Sequence, residues 1–162
     1  IEVSKLCIEL GDSLNLEAPV INKLERAGYL HDIGKIVLDK NILIKDILTD
    51  EEMESMRQHS VVGFRILNLF DDTLDLAEYV YSHHERWDGT GYPRGLEGEE
   101  IPLISRIIAI VETYERVLNR GENSPEVRKQ SAIQAITVGS GKQFDPQLAE
   151  RFVQLINKKI QE

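Results

Sequence analysis

Residues 103–118 read Leu-Ile-Ser-Arg-Ile-Ile-Ala-Ile-Val-Glu-Thr-Tyr-Glu-Arg-Val-Leu, a strongly apolar run. Its segment 107–111 is apolar without a break, so we expect a helix that is buried nearly all round. Glu112 follows at once, and a carboxylate on such a helix needs a cation, a donor or a proton. The sequence leaves two explanations open at this point: a salt bridge to an arginine such as Arg106, or metal ligation.

Apolar residues recur at helical spacing along most of the remaining chain. Residues 86–100 differ, because four glycines and a proline there predict a loop. With little strand signal, no internal repeat and no linker, the sequence predicts one all-α domain over residues 1–162. The predicted helices cover residues 2–15, 18–31, 49–70 and 74–85, and two more begin at Ser124-Pro125-Glu126 and after Asp145-Pro146.

The composition limits the kinds of partner. The chain has 162 residues, a single cysteine and a formal net charge of −9. One cysteine forms no internal disulfide, and no apolar run approaches the roughly 18 residues of a membrane span, so we expect a soluble, cytoplasmic domain without membrane contact. The negative charge disfavours long nucleic acids but does not exclude a small phosphorylated ligand.

All four histidines stand where a metal site would need them. His31 precedes Asp32 at a helix end, His59 lies on the apolar face of its helix, and His83 and His84 precede the glycine-rich loop. Imidazole is the commonest protein metal ligand, and a carboxylate can bridge divalent ions. Taken singly, each histidine is also explained as a core residue bonded to a carbonyl or as a solvated helix end. Inward-facing candidates on three separate helices favour a metal site.

Two motifs carry a family resemblance. His31-Asp32-Ile33-Gly34-Lys35 and the run 83–93, His-His-Glu-Arg-Trp-Asp-Gly-Thr-Gly-Tyr-Pro, resemble the two signatures of the HD-GYP family of metal-dependent phosphohydrolases. The resemblance implies an all-α HD-domain helical bundle with the glycine-rich GYP loop near the metal site. It also implies two or three divalent ions, iron or manganese, and hydrolysis of cyclic di-GMP to the linear pGpG or to GMP. Supporting matches lie at residues 58–60, 99–103, 106–109 and 144–146.

The resemblance also implies roles for individual residues. Asp32 would bridge two ions, which polarise the phosphodiester and lower the pKa of a bridging water. Lys35 would act with Asp32 in catalysis by neutralising the scissile phosphate, although a solvated helix-end charge also explains it. The full set of implied metal ligands is His31, Asp32, His59, His83, His84 and Glu112, and the implied substrate contacts are Lys35, Asp88, Gly91, Tyr92 and Pro93.

Three departures from the family pattern affect the prediction. The family's leading histidine would precede residue 1, so we expect a histidine shortly upstream in the parent protein, behind a sensor or receiver domain. Glu112 stands where the family has an aspartate. The family's Arg-Pro-Tyr-Arg segment, which helps hold cyclic di-GMP, is replaced by a stretch that contains Arg116 and Arg120.

Three functions are therefore compared. The first is a phosphodiesterase that hydrolyses cyclic di-GMP through a metal-bridging hydroxide, and the intact run 83–93 favours it. The second is a degenerate, non-catalytic HD-GYP module that binds metal or nucleotide and acts through a partner; the departures favour it. The third is an HD-superfamily phosphohydrolase with another nucleotide substrate. Sensor, receiver or GGDEF-type proteins, or a second copy of the chain, are the expected partners.

Overall fold

The computed structural model describes residues 2–45, 47–121 and 123–161. Over these ranges the chain forms eight α-helices and no β-strand, which confirms the all-α fold. Short 3-10 helices occupy Ile33–Val37, Asp71–Thr73 and Gly98–Glu100. The α-helices are α1 (Glu2–Ser13), α2 (Ala18–Leu30), α3 (Lys40–Ile44), α4 (Asp50–Leu67), α5 (Leu74–Tyr81), α6 (Leu103–Leu118), α7 (Pro125–Gly139) and α8 (Pro146–Gln161).

Helix α6 is the centre of the bundle. It packs against α1, α2, α5, α7 and α8, and its segment 107–111 is buried, as the apolar run predicts. Each fully buried leucine or isoleucine contributes about 1.5–3 kcal/mol of transfer free energy, so this helix is a large part of the hydrophobic stabilisation. Side chains from other helices complete the core, among them Leu10, Leu24, Leu76, Ile136 and Phe152.

Helix α4 begins as predicted but ends earlier. Thr49 Oγ1 accepts a hydrogen bond from the Glu52 amide, and the Glu52 carboxylate accepts one from the Thr49 amide, which is a capping box. The predicted end at Phe70 is wrong, because the Asn68 side chain donates to the Phe64 carbonyl and the helix stops at Leu67. Phe70 is exposed as a result.

Helix α5 is also shorter than predicted. The predicted helix over residues 74–85 ends at Tyr81, so His83 and His84 lie in the following turn rather than on a helix face. Helix α3 was not predicted, and none of its residues is buried, which explains the lack of an amphipathic signal. No described helix combines the length and apolarity that crossing a membrane requires.

Two glycines bring the His31–Asp32 turn against α4. A Cβ on Gly34 would lie 1.9 Å from the carbonyl oxygen of His59 and 2.6 Å from the amide of Gly63. Only a residue without a side chain permits this approach. The turn that carries Asp32 and Lys35 is therefore fixed directly beside the turn of α4 that carries His59.

Candidate metal centre

The four histidines converge in the structure. His31 follows α2, His59 lies in the middle of α4, and His83 and His84 follow α5. His59 Nε2 lies 3.4 Å from His83 Nε2 and 3.1 Å from His84 Nε2. Candidate ligand atoms of these three residues all lie within 4.8 Å of one another, a spacing that allows them to hold one metal ion.

Backbone carbonyls fix the tautomer of three of these histidines. A carbonyl oxygen only accepts, so each Nδ1 that contacts one carries a proton, which in a neutral imidazole leaves Nε2 as a lone pair. A hydrogen bond from Nδ1–H to a backbone carbonyl is a usual way to orient an imidazole that binds metal through Nε2. The pairs are His31 with the Gly28 carbonyl at 2.8 Å, His59 with that of Met56, and His83 with that of Val80 at 2.5 Å.

Burial keeps most of the cluster uncharged. It lowers the pKa of His59 and His84, and it lowers the pKa of His83 to about 3. His31 differs: burial lowers its pKa, but the adjacent Asp32 carboxylate outweighs burial and raises it. Neutral Nε2 lone pairs of His59 and His83 thus face each other, and a cation placed between them would satisfy both.

Asp32 supplies a carboxylate to the same place. Its Oδ2 lies 2.7 Å from Lys35 Nζ and 3.4 Å from His31 Nε2. Burial raises its pKa, but His31 and Lys35 together hold that pKa well below the usual range, so the group is ionised. Its Oδ1 is buried 3.6 Å from His59 Nε2 and has no hydrogen-bond partner among the described residues. An orphaned carboxylate oxygen beside neutral imidazoles fits a divalent cation.

Glu112 also faces the cluster. Its Oε2 lies 3.9 Å from His84 Nδ1, and burial, with a further contribution from Asp32, raises its pKa. The alternative of a salt bridge to Arg106 is wrong, because Arg106 pairs with Asp145 at 2.7 Å. Residues six apart on a helix point in very different directions, at roughly 240° around the axis, so Arg106 and Glu112 do not meet.

The glycine-rich loop is folded tightly beside the histidines. The buried Glu85 carboxylate accepts hydrogen bonds from the amides of Arg94, at 2.7 Å, and Leu96, at 3.0 Å. A Cβ on Gly91 would lie 2.3 Å from the Arg86 amide nitrogen, so this position requires glycine. The Tyr92 amide donates to the His84 carbonyl, which fastens the loop to the histidine turn.

The predicted substrate contacts divide into two groups. Lys35, Gly91 and Tyr92 line a cavity beside the histidines, whereas Asp88 and Pro93 lie outside the described residues that line it. Asp88 braces the loop instead: its carboxylate pairs with Arg86 at 2.8 Å and accepts from Thr90 Oγ1 at 2.6 Å. Its predicted contact with substrate stays a prediction.

The cavity has a volume of about 670 Å³, within the usual range for small-molecule sites. Met53 and Met56 form part of an apolar side with residues around α3. Besides Glu85 and Glu112, six cationic side chains from several elements line the cavity. They are Lys35, Lys45, Arg57, Arg86, Arg116 and Arg120.

Several of these residues were not predicted from the sequence. Glu85 stands inside the run 83–93, so its position beside the histidine pair was the available signal. Arg57 lies two residues before His59, on the polar side of an amphipathic helix, where the sequence pattern indicates contact with solvent rather than with a site. Gln143 reaches the cavity because the loop before α8 receives hydrogen bonds from the Trp87 and Asp88 amides, a tertiary contact without a local sequence signal.

The fold and the site together define an α-helical protein whose histidine–aspartate cluster can hold divalent metal ions. Residues 2–148 match the family model of the HD domain. A cyclic di-GMP phosphodiesterase of Thermotoga maritima is 38% identical over 149 residues, covering 90% of this chain and 40% of that protein. A 3'3'-cGAMP-specific phosphodiesterase of Vibrio cholerae is 31% identical over 151 residues, covering 91% of this chain and 29% of that protein.

A solved structure shares the fold. Bd1817, an HDG"Y"P protein from Bdellovibrio bacteriovorus, superposes with a TM-score of 0.78 at 20% identity, over 100% of this chain and 51% of that one. The chain belongs to the HD-domain family, and its resemblance to the HD-GYP branch is confirmed. It spans less than half the length of the two curated relatives.

Proposed function

We propose that the chain is a metal-dependent phosphodiesterase domain that hydrolyses cyclic di-GMP to pGpG or GMP. The observation that carries the proposal is the orphaned Asp32 Oδ1, buried beside the neutral Nε2 of His59. The names of the relatives from Thermotoga and Vibrio support a cyclic dinucleotide as the substrate class.

Two divalent ions, or three if a further ligand joins the site, are proposed to bind here, with iron or manganese suited to imidazole and carboxylate donors. When bound, they would polarise the phosphodiester and lower the pKa of a bound water to supply the attacking hydroxide. Of the proposed ligands, Asp32 is central because it contacts both His31 and His59. The full proposed set is His31, Asp32, His59, His83, His84 and Glu112.

Other residues of the chain would bind the substrate. Lys35 Nζ, held 2.7 Å from Asp32, places a positive charge at the edge of the metal site, where it would neutralise the scissile phosphate. Burial raises the pKa of the Tyr92 hydroxyl, so this group stays protonated and can donate to a phosphate oxygen. Arg116 and Arg120 line the same cavity and are proposed to take the second phosphate, replacing the family's basic segment.

The test is turnover of cyclic di-GMP by the metal-free chain after addition of Mn²⁺ or Fe²⁺, compared with His31→Ala. We expect metal-dependent production of the linear dinucleotide or GMP by the wild-type chain, and a loss of more than about 100-fold in the variant, since ligand loss exceeds the 10–100-fold effect of outer-shell changes. Hydrolysis of 3'3'-cGAMP without hydrolysis of cyclic di-GMP would contradict the substrate assignment.

A second candidate function is a non-catalytic signalling module. The replacement of the family's aspartate by Glu112 and the altered basic segment favour it. Metal binding without turnover of any cyclic dinucleotide would support this function and contradict the first. In either case we propose that the domain works with a sensor, receiver or GGDEF-type partner, for which the greater length of the relatives leaves room, or with a second copy of the chain.

A further inference from the structure

His84 is held differently from the other three histidines. The Nδ1 atoms of those three donate to backbone carbonyls, whereas His84 Nδ1 faces Glu112 Oε2 at 3.9 Å, beyond hydrogen-bond distance. Its ring instead contacts the rings of His59, His83 and Tyr92, and the His59 ring is centred 4.9 Å away. The His83 ring is centred 4.0 Å away, and the Tyr92 ring is stacked at 5.0 Å with an angle of 26° between the planes.

Tyr92 is in turn covered by Arg57. The Arg57 guanidinium carbon lies 5.6 Å from the centre of the Tyr92 ring, the distance of a cation–π contact. Arg57 also pairs with Glu54, at an N–O distance of 3.8 Å that is too long for a hydrogen bond. Both residues of that ion pair are about half exposed, so water screens it and it contributes little.

Arg57 covers the Tyr92 ring, and the Tyr92 ring stacks on His84. This stack therefore ends at a candidate metal ligand. We propose that Arg57 is a positioning residue: it holds the Tyr92 ring against His84 and so fixes the direction of the His84 Nε2 atom. The inference rests on the metal centre of the proposed function, but it requires neither turnover nor a particular substrate.

The position of Arg57 on α4 explains how the stack can fix geometry. Arg57 precedes His59 by two residues, so one rigid helix carries both a candidate ligand and the group that covers Tyr92. The Nε2 atoms of His59 and His84 are 3.1 Å apart in the resulting arrangement. Without the Arg57 guanidinium over its ring, Tyr92 is held less firmly against His84. Metal binding must then order the His84 side chain, and this cost lowers the affinity for the metal.

The first test is titration of the metal-free chain with Mn²⁺ alone, without nucleotide. Tyr92→Leu removes the stacked ring, and we expect it to weaken Mn²⁺ binding on the order of tenfold, as outer-shell changes do. Arg57→Met removes the cation, and we expect a loss of about threefold, in keeping with a partly exposed cation–π contact. Because Arg57 acts through Tyr92, the double variant is expected to match Tyr92→Leu alone.

Conservative variants and a matched control complete this test. Arg57→Lys keeps a cation and is expected to restore most of the affinity, and Tyr92→Phe keeps the ring and is expected to bind within about twofold of the wild-type chain. Arg65→Met changes an exposed cation of the same helix away from the cavity and is expected to have no effect. Wild-type affinity in Arg57→Met, or losses that multiply in the double variant, would overturn the proposal.

A second measurement needs no metal. Stacking against Tyr92 shifts the His84 ring-proton resonances by ring current, so imidazole NMR of the metal-free chain reports the stack directly. We expect Arg57→Met to reduce this shift, Arg57→Lys to retain most of it, and Arg65→Met to leave it unchanged. If the wild-type chain binds no Mn²⁺, the metal centre itself is wrong, whereas an unchanged His84 shift in Arg57→Met contradicts the positioning role alone.

Discussion

Asp32 Oδ1 lies 3.6 Å from His59 Nε2, and in the part of the chain that the structure describes it has no hydrogen-bond partner. The Nδ1–H of His59 is committed to the Met56 carbonyl, so its Nε2 has no proton to offer the carboxylate. Two acceptors that face each other at this distance are unfavourable until a cation lies between them. The pair therefore carries an electrostatic cost that a bound divalent cation would remove.

Asp32→Asn tests this relationship. The amide keeps the size of the side chain but removes the negative charge, so we expect Mn²⁺ affinity to fall by at least about 100-fold, more than an outer-shell change produces. Calorimetric titration of the metal-free chain measures it. Asp12→Asn, an exposed change on α1, serves as the control. Equal affinities of the two variants would show that Asp32 is not a ligand.

The buried histidines predict how stability depends on pH in the metal-free chain. The pKa of His83 is about 3 in the folded state, below its ordinary value of 6.5, because burial penalises the charged imidazole. When the pH falls below 6.5 the unfolded chain takes up a proton that folded His83 does not, so the free energy of unfolding decreases down to about pH 3. The slope is about 1.4 kcal/mol per pH unit for one such group.

Three neighbouring histidines modify that slope in known directions. The lowered pKa values of His59 and His84 add to the loss of stability on acidification, whereas the raised pKa of His31 opposes it. Urea unfolding of the metal-free chain at pH 7.5, 6.0 and 5.0 measures the sum, and His83→Gln should flatten the curve. An unfolding free energy that increases from pH 7 to pH 5 would contradict the neutral state of the cluster.

The sequence was sufficient to predict that the histidines cluster, but not how the loop around them is built. His31, His59, His83 and His84 were found because their motifs are local, and the structure brings them together. Asp88 shows the limit: it lies within the same motif, yet both carboxylate oxygens contact Arg86 and the structure places it outside the cavity. The backbone conformation of a loop decides which of its polar groups form hydrogen bonds within the loop. A sequence motif does not predict that conformation.

Glu85 stands beside the histidine pair in the sequence, but the role of its carboxylate is visible only in the structure. Its buried carboxylate is the acceptor for two loop amides, those of Arg94 and Leu96. In Glu85→Ala both amides lose this acceptor, so we expect the free energy of unfolding to fall by about 2–4 kcal/mol, from about 1–2 kcal/mol per unsatisfied group. Chemical denaturation measures the loss, and the exposed Glu99→Ala is the control. An unchanged stability would mean that the loop is held elsewhere.

Gly34→Ala tests the contact that places the His31–Asp32 turn. The new Cβ would overlap the His59 carbonyl oxygen, at 1.9 Å, and backbone atoms of a helix do not give way as a flexible side chain does. We expect a destabilisation of about 3 kcal/mol, at the upper end for overpacking, and weaker Mn²⁺ binding because Asp32 moves away from His59. Gly11→Ala, whose nearest contacts would be the ends of the Ile21 and Leu24 side chains, should cost less and leave Mn²⁺ binding intact.

Arg116→Ala separates substrate binding from metal binding. Arg116 lies one turn beyond Glu112 on α6 and lines the cavity, so we expect its guanidinium to donate hydrogen bonds to a substrate phosphate rather than to ligate metal. We expect the KM for cyclic di-GMP to rise about tenfold, the effect of losing one charge-assisted hydrogen bond, with Mn²⁺ affinity unchanged. The KM of the wild-type chain should also rise with salt, and less steeply in the variant, since phosphate contacts are screened. The control Arg65→Ala lies away from the cavity and should change neither the KM for cyclic di-GMP nor the Mn²⁺ affinity. A fall in kcat at constant KM for Arg116→Ala would contradict this prediction and place Arg116 at the reacting phosphate.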